Sequence, residues 1–208
     1  MRGWLKGLTA VLLVAAAGCS EPDDWGGLEY WNDGFACDVV VPHDYSGGSG
    51  IDWVSHRENA LVYESGPPEQ GTTFGSELRC EFSGSANRND FVEVHAMFES
   101  DAERVSTAVD KLFDSVVFAT EEEYAGLDEV SGFDGTWDRI GEWERVDVVD
   151  EHLSFSQFQY AFEDANMYVR VKVQLQDREV DTALRDSTFE LALAAAETIR
   201  EGSVYDFG

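Results

Sequence analysis

Histidine is the side chain most often used as a general base or metal ligand near neutral pH, and the chain has only four. They are His43, His56, His95 and His152. No two of them have the spacing of a metal-binding pair. His95 shares one face of a predicted strand with Glu93, which predicts a solvent-exposed position. The histidines therefore indicate neither a catalytic base nor a metal centre.

The motifs of common enzyme classes are missing. The sequence has no Gly-x-Ser-x-Gly elbow, Walker A loop, paired Cys-x-x-Cys motif, His-Glu-x-x-His motif or dinucleotide-binding glycine pattern. Acidic clusters at 23–24, 121–123 and 134–138 carry the oxygen ligands that calcium prefers, but none has the spacing of a calcium loop. With 42 Asp and Glu residues, such clusters arise by chance. We therefore predict no metal, no cofactor and no catalytic residue.

Aromatic residues on a glycine-bearing connector are the strongest candidates for ligand binding. Residues 121–150 carry four glycines together with Phe133, Trp137 and Trp143. Tryptophan on such a loop can stack on a sugar or line a small apolar site. Because tryptophan is also highly buried on average, closure of a core edge is the competing interpretation. Trp137 and Trp143 are the candidate ligand-binding residues.

The N-terminus has the layout of a secretory signal. Arg2 and Lys6 precede an apolar run over residues 8–17, and small residues follow. The run is about ten residues long, whereas a helix needs about twenty to cross the hydrocarbon core. Residues 1–18 are therefore predicted to be a targeting segment and not a membrane span.

The end of this segment resembles a bacterial lipobox. In Ala16-Ala17-Gly18-Cys19, small residues precede a cysteine. In lipoproteins that cysteine is diacylated and becomes the new N-terminus, which implies a lipid anchor at Cys19. Two acyl chains are enough for lasting attachment to a membrane. The alternative is ordinary cleavage after Ala17, with Cys19 left as a free thiol.

The other two cysteines form an even pair. Assigning Cys19 to lipid leaves Cys37 and Cys80, and an oxidising exterior favours a disulfide between them. Closing a loop of that length stabilises a fold by roughly 4 kcal/mol on the chain-entropy model. The sequence therefore predicts a disulfide between Cys37 and Cys80.

The charge of the chain is strongly negative. Its formal net charge is -28, and removal of the leader with Arg2 and Lys6 makes it about two units more negative. Affinity for a phosphate backbone comes largely from Lys and Arg, so nucleic acid is excluded as a partner. The hydrophobic content of 43% is that of a globular protein. The acidity fits either high-GC codon bias or adaptation to salt.

Two segments have the same order of elements: strand, strand, helix. The first pairs strands over 77–83 and 91–99, and a capping box at Ser100 and Glu103 then opens a helix. The second pairs 153–162 with 167–176, and a second capping box at Ser187 and Glu190 opens a helix that ends near Gly202. The apolar alternation of 153–162 slips near residues 156–157, which predicts a bulge there. Residues 140–149 are predicted to add a strand.

Hairpins with one apolar face need cover, and two amphipathic helices can supply it. The predicted class is α+β, an antiparallel sheet with helices packed on one face, in which the two strand-strand-helix units share one sheet. The predicted organisation is a lipoprotein signal peptide at 1–18, an acidic tether at 19–34 and a single α+β domain at 35–208. The pseudo-repeats span 77–118 and 152–201.

The layout resembles an actinobacterial lipoprotein family of unknown function. The resemblance rests on the lipobox leader, the early cysteine, Cys80 in Arg79-Cys80-Glu81-Phe82, a Gly-Asp connector over 130–135, and a final hairpin with an Ala-rich helix. The chain departs from the family after Cys37, where the family has a helix and this sequence reads Val-Val-Val-Pro. The resemblance implies no known activity.

These observations predict a lipid-anchored protein on the extracytoplasmic face of the cell membrane, acting as a non-catalytic binding or interaction module of the envelope. Its expected partners are the membrane, through lipid on Cys19, and an envelope protein or a small ligand. One alternative is an extracellular hydrolase acting on wall or carbohydrate material, favoured by a cleft that sets a histidine against a carboxylate and a hydroxyl. The other is an apolar-ligand carrier, which needs a hollow between sheet and helices.

Overall fold

The elements of the described chain alternate between long strands and two helices. In chain order they are β1 (Trp53–Ser65), β2 (Thr73–Gly84), β3 (Phe91–Glu99), α1 (Ala102–Asp114), β4 (Ser115–Val117), β5 (Glu123–Ala125), β6 (Asp128–Glu129), β7 (Arg139–Asp150), β8 (Leu153–Asp164), β9 (Met167–Gln176) and α2 (Thr182–Gly202). The strand predicted over 140–149 is present as β7, and the helix predicted to stop near Gly202 ends there.

The structure is a computed structural model that describes residues 29–30, 37, 53–65, 73–117, 123–131, 137–150 and 152–204. The side chains of 54–65, 73–74, 115–117, 123–124 and 150 are not included in that description. The predicted leader, the lipid-anchor residue Cys19, most of the predicted tether, and His43 lie outside the described residues.

Seven strands form one antiparallel sheet in the order β1-β2-β3-β9-β8-β7-β6. β4 pairs with β5 in a small second sheet. The hairpins β2–β3 and β8–β9 meet at the centre, where β3 pairs with β9. The two strand-strand-helix units therefore share one sheet, and the predicted α+β class, with helices packed against an antiparallel sheet, is confirmed.

Side-chain alternation along β9 separates two layers of core. One face carries Met167, Val169, Val171, Val173 and Leu175, all buried. This face packs on the buried side of α2 through Leu191, Ala192, Ala195, Ala196 and Ile199. Tyr168 points to the opposite face, where it packs with Val105 and Val109 of α1. The two helices therefore cover opposite faces of the sheet.

This arrangement differs from the prediction that both helices pack on one face. Most of the α1 face of β3 and β9 is polar, because Glu93, His95 and Arg170 point to it. Met97 and Tyr168 make one apolar area at its end, and α1 covers that area. Hydrophobic periodicity shows that each helix has an apolar side, but it does not show which face of the sheet that side meets.

Both helix starts differ from the predicted capping boxes. Asp181 is the N-cap of α2, and its side chain accepts a hydrogen bond from the Leu184 amide at 2.8 Å. Ser187 lies inside the helix and donates to the Leu184 carbonyl at 3.0 Å, so its prediction as a cap is wrong. In α1 the carboxylate of Asp101 accepts from the Glu103 amide at 3.0 Å, one residue after the predicted cap.

Neither helix in the described part of the chain is both long and apolar enough to span a membrane.

The bulge predicted at 156–157 is also wrong. The pairing of β8 with β9 is continuous there, and the register shift lies instead between Val148 and Asp150 of β7, opposite β8. The alternation slips because β8 is buried on both faces, so that Gln157 and Gln159 are buried as completely as Phe158. Burial on both sides removes the period-2 signal without changing the backbone.

Two links fasten the N-terminal part of the chain to the sheet. The predicted disulfide between Cys37 and Cys80 is present, and both cysteines are fully buried. Tyr30 forms an isolated antiparallel bridge with Val204, just beyond α2. Its hydroxyl donates to the Asp164 carboxylate at 2.6 Å. Tyr30, which belongs to the predicted tether, is therefore docked on the domain.

Candidate functional site

The two predicted ligand-binding tryptophans lie on opposite faces of the sheet. Trp137 is buried beside Phe162 at 5.3 Å between ring centroids, and the guanidinium of Arg200 lies 5.6 Å from its ring centre. Trp143 is half-buried on the α1 face, against Leu127 and its neighbours. The pair cannot form one stacking platform, and binding of a ligand by either remains a prediction.

A cleft of about 480 Å³ opens where β7 faces the N-terminal half of α2. We call it the connector cleft, because several of its residues come from the connector over 121–150. Its lining residues are Asp128, Val130, Glu142, Trp143, Glu144, Phe158, Tyr160, Arg185, Asp186 and Phe189. The volume is within the range of small-molecule sites in proteins.

Aromatic rings form the apolar part of the connector cleft. Phe158 and Tyr160 are buried core residues of β8, and Phe189 of α2 meets Tyr160 edge to face with centroids 5.6 Å apart. The Tyr160 hydroxyl is hydrogen-bonded to the Thr188 hydroxyl at 2.8 Å, and burial raises the pKa of the phenol. Phe158 and Tyr160 are held by the core behind the cleft, and Phe189 is the most exposed of the three rings.

Carboxylates outnumber cations in the connector cleft. Asp128, Glu142, Glu144 and Asp186 face a single guanidinium, that of Arg185. Arg185 donates two hydrogen bonds to Glu144, at 2.6 and 2.7 Å. The charges of the described lining residues therefore leave three carboxylates in excess of the one ion pair.

The excess negative charge affects the pKa of Glu142. Desolvation in the cleft raises the pKa of its carboxyl, and the neighbouring charges of Glu144 and Asp128 raise it further, against a smaller opposing effect of Arg185. A carboxylate in this position is stabilised by any cation that enters the cleft.

The local sequence explains why these groups converge. Alternation along β7 sets Glu142 and Glu144 on the α2 face, with Glu142 directly opposite Tyr160 of β8. The short strand β6 brings Asp128 beside Glu142 from the other side. The Asp181 cap starts α2 so that its first turns place Arg185, Asp186 and Phe189 over the strand.

A second polar cluster lies on the α1 face, around His95. Its Nε2 lies 3.3 Å from the Glu77 carboxylate, while its Nδ1 lies 3.5 Å from both the Tyr168 hydroxyl and the Arg170 guanidinium. The contact with His95 lowers the pKa of Glu77. His95 is only 8% exposed, so the prediction of a solvent-exposed histidine is wrong. The cause is the cover supplied by long side chains on both neighbouring strands.

The chemistry open to this cluster is limited by Tyr168. The Arg170 guanidinium can only donate, so in their contact Nδ1 of His95 is the acceptor, while Nε2 faces Glu77. Burial raises the pKa of the Tyr168 phenol, which keeps the hydroxyl protonated and a poor nucleophile. The arrangement places a carboxylate and a hydroxyl against the two nitrogens of one imidazole, without an activated nucleophile.

Beside this cluster, Gln159 has unmet hydrogen-bonding capacity. Its side chain is fully buried, yet neither amide atom has a hydrogen-bond partner among the described residues. It stands between Trp143 and Lys172 on the adjacent strands. Burial, with the nearby charge of Arg170, lowers the pKa of Lys172 to about 8. Such a position accommodates an ordered water or a ligand group.

Other predicted or excluded sites can be located only in part. No three His, Cys, Asp or Glu side chains within the described residues are placed to hold a metal ion. His152 is exposed in the turn before β8, and the side chain of His56 is outside the description. Of the acidic cluster at 134–138, only Asp138 is described; it accepts a hydrogen bond from the Ala165 amide at 3.0 Å.

The carboxylates of the connector cleft were not singled out by the sequence. Glu142 and Glu144 look like ordinary exposed acids of an edge strand, and Arg185 looks like a helix-surface cation. The only available signal is that Glu142 and Glu144 are two residues apart on a predicted strand, which sets them on one face. Their meeting with α2 depends on tertiary packing.

No family model and no curated protein matches the chain. Among solved structures, the extracellular domain of PknH from Mycobacterium tuberculosis is similar at 11% identity, covering 79% of this chain and 95% of that chain, with a TM-score of 0.43. A putative uncharacterized protein (Rv0999 ortholog) from Mycobacterium smegmatis is similar at 12% identity, covering 85% and 99%, with a TM-score of 0.35. Scores at this level carry no inference about function.

Proposed function

We propose that the chain is a lipoprotein of the bacterial envelope, held by lipid on Cys19 at the extracytoplasmic face of the cell membrane, whose domain is a non-catalytic binding module. Its ligand is an organic cation, either a small molecule or a basic side chain of an envelope protein, and it enters the connector cleft. The observation that carries this proposal is the set of four carboxylates around one guanidinium beside an aromatic surface.

The compartment is supported by the Cys37–Cys80 disulfide. Disulfides persist in oxidising environments outside the cytoplasm and are rare inside it. The anchor is tested by replacing Cys19 with Ala and fractionating cells of the native host. We expect the variant to move from the membrane to the soluble fraction, and membrane retention of Cys19→Ala would contradict the anchor.

The ligand class follows from the two kinds of surface in the connector cleft. Aromatic rings attract a cation, and the half-buried Phe189 and Trp143 line the cleft. A partly desolvated site strengthens that attraction. Glu142 and Asp186 have no ion-pair partner within the described ranges, and such carboxylates add direct electrostatic attraction and hydrogen bonds to an ammonium or guanidinium. An anionic ligand would meet three uncompensated negative charges and is disfavoured.

A matched pair of probes tests this assignment. Phenethylammonium and 2-phenylethanol share one aromatic ring and differ in charge, so their relative affinities, measured by calorimetry or NMR titration, isolate the cation. We expect the ammonium to bind at least about tenfold more tightly, because each factor of ten requires only about 1.4 kcal/mol of differential interaction.

Variants that each remove one charge test whether phenethylammonium binds in the connector cleft. Asp128→Asn and Asp186→Asn should each weaken phenethylammonium binding about threefold, as expected for the loss of one exposed charge. Glu201→Gln removes the same charge from the exposed C-terminal turn of α2 and should leave the affinity unchanged. Equal binding of the two probes, or equal effects of all three variants, would contradict a cation site in the cleft.

One observation favours a second function, the hydrolase acting on wall or carbohydrate material. His95 lies against both a carboxylate and a hydroxyl, and a cleft of about 520 Å³ lined by Glu77 and Met97 opens beside it. If this cluster catalyses hydrolysis, His95→Gln should abolish turnover of wall or carbohydrate material while the variant keeps its fold and its cation binding. The apolar-ligand carrier would need a hollow between sheet and helix, whereas the described core residues of β9 and α2 are buried in one cluster.

A further inference from the structure

Among the described residues, the outer edge of β7 has a partner strand over only a small part of its length. β6 pairs with it only at Gly141 and Glu142, through Glu129 and Asp128. In the described part of the chain, no strand pairs with that edge between Trp143 and Asp150. An open edge presents unpaired backbone donors and acceptors, which another extended chain can bind.

The same stretch exposes large apolar side chains. Val146 is 48% exposed and Val148 is 72% exposed, and alternation sets both on the α2 face of the strand. Val149, at the register shift, is 61% exposed. A cleft of about 700 Å³ runs beside Val146 and Val148 toward the segment that precedes α2. Valines grouped on an open edge mark an interaction surface more than valines scattered singly.

Between Arg145 and Val148, charged side chains lie on the α1 face only. Arg145 and Asp147 point to the α1 face and form an ion pair at 2.5 Å. Charged side chains and bulges on an edge are devices that oppose unwanted pairing. The α2 face of the same edge carries no such charge at Val146 or Val148, so this face remains available.

The charges next to the valines indicate the kind of partner. Along the α2 face the order is Val148, Val146, Glu144 and then Glu142 in the connector cleft. We propose that an extended segment of another envelope protein adds to the β7 edge as an antiparallel strand with the pattern apolar-x-apolar-x-basic. Its apolar residues lie opposite Val148 and Val146, and its basic residue reaches the cleft. Only this last contact rests on the proposed function.

A second copy of this chain is a poorer occupant than a basic segment. The formal net charge of -28 makes two copies repel each other. A partner with a basic residue at the cleft end has complementary charge. It also forms the same backbone hydrogen bonds that any added strand forms.

The test uses a short synthetic peptide and the mature protein. The probe is a seven-residue peptide, Thr-Val-Thr-Val-Thr-Arg-Thr, in which threonine alternates with valine, valine and arginine. Three controls accompany it: the same peptide N-methylated on alternate amides on its pairing edge, the same composition in scrambled order, and phenethylammonium alone. Affinities are measured by NMR titration, with edge amides of 144–150 as reporters.

Two protein variants isolate the valine contacts. Val148→Glu adds a negative charge, which would strengthen any merely electrostatic attraction to the basic peptide, so weaker binding reports loss of apolar pairing. We expect about a tenfold loss. Val204→Glu adds the same charge at a valine that is 63% exposed elsewhere and should not weaken binding. N-methylation should weaken binding at least about tenfold, because it removes hydrogen bonds and blocks approach of the chain.

Each outcome bears on the proposal. Binding that survives N-methylation and Val148→Glu overturns strand addition, and leaves the cation site standing if phenethylammonium still binds. Absence of peptide binding overturns strand addition outright. Concentration-dependent dimerisation that is lost in Val148→Glu shows that the edge is used by a second copy and overturns the heterologous partner. Binding of the peptide without binding of phenethylammonium supports the edge and contradicts the cleft.

Discussion

The two ends of α2 each carry an arginine in a cluster of acidic and aromatic residues, and the clusters differ in charge balance. Near the C-terminal end, Arg200 donates to the Asp164 carboxylate at 2.6 Å and to the Tyr30 hydroxyl at 3.2 Å. One guanidinium meets one carboxylate there. Toward the N-terminal end, Arg185 meets Glu144 in the same way, but three further carboxylates line the same cleft.

This difference separates a structural cluster from a binding site. At the Arg200 end, burial raises the pKa of Tyr30 to about 12, with a smaller contribution from its hydrogen bond to Asp164, and the partners satisfy one another. At the Arg185 end, desolvation and like charges raise the pKa of Glu142, so the resting protein holds an unfavourable arrangement. Proteins that keep such a cost in a cleft commonly recover it on binding.

The largest effect should come from Asn166, which completes the balanced end. Its side chain is fully buried and accepts from the amides of Glu29 and Tyr30, both at 3.0 Å. It also donates to the carbonyls of Tyr30 and Glu99. Asn166→Ala should lower the free energy of unfolding by about 3 kcal/mol, because it leaves several buried groups unpaired.

Urea unfolding of the mature protein measures this loss, and the melting temperature should fall by roughly 10 °C. The matched control is Asn87→Ala in the β2–β3 turn, whose side chain donates two long hydrogen bonds, at 3.3 and 3.4 Å, and accepts one from the exposed Asn89 amide at 3.0 Å. It should cost less than about 1 kcal/mol. Equal losses in the two variants would mean that residues 29–30 are not held by Asn166.

Tyr30→Phe should have a smaller effect that depends on pH. Losing the hydroxyl removes the 2.6 Å hydrogen bond to Asp164 and should cost about 1 kcal/mol at neutral pH. The pKa of Tyr30 is raised to about 12 in the folded protein, so its contribution is complete below pH 10 and is lost as the pH rises toward 12. Wild-type and Tyr30→Phe stabilities should therefore converge between pH 10 and 12.

Subtracting the two denaturation curves removes the titration of the other tyrosines, which both proteins share. A constant difference up to pH 12 would contradict the folded-state position of the Tyr30 hydroxyl. Convergence below pH 9 would do the same, because an unshifted group loses nothing in that range.

The sequence predicted the central strands well and the helix caps poorly. The alternation from Met167 to Leu175 predicted β9, and the apolar run of β3 predicted its bounds, because each strand has one face in the core. The helix caps were misplaced, because Asp101 and Asp181 compete with nearby serines that satisfy the same sequence pattern. Local hydrogen bonding decided between them.

The candidate site was less predictable than the fold. Glu142 becomes unusual only through its pairing with Tyr160 and the approach of Arg185, and both depend on contacts distant in sequence. Ser156 and Gln157 were read as a slip in strand phase, because buried polar residues in an inner strand look like a register change. In a chain with 42 acidic residues, composition hides the few whose surroundings matter.

Arg185→Gln tests the comparison between the two ends of α2 by its effect on ligand affinity, not on stability. Removing the only cation of the connector cleft among the described residues frees Glu144 and should raise affinity for phenethylammonium about threefold. Arg178→Gln removes an exposed cation outside this cleft and should leave the affinity unchanged. Weaker binding to Arg185→Gln would indicate that Arg185 orients the site, and the two ends of α2 would then be alike.

The smallest effect, and the one with the most informative sign, is that of Glu142→Gln on stability. Because its folded-state pKa is raised, Glu142 favours folding only when protonated, and that contribution is lost as the pH rises through the folded pKa. At pH 7 the glutamine variant should be more stable than wild type, by no more than about 0.5 kcal/mol for an exposed position. The difference should vanish as the pH falls below the usual carboxyl range.

Phenethylammonium should reverse the order of stability at pH 7, since the ligand stabilises the protein whose cleft keeps the charge. Urea titrations with and without the ligand measure both parts. Loss of stability in ligand-free Glu142→Gln would mean that this carboxylate is paired like Asp164. The excess negative charge of the cleft would then be structural, and the distinction between the two ends of α2 would fail.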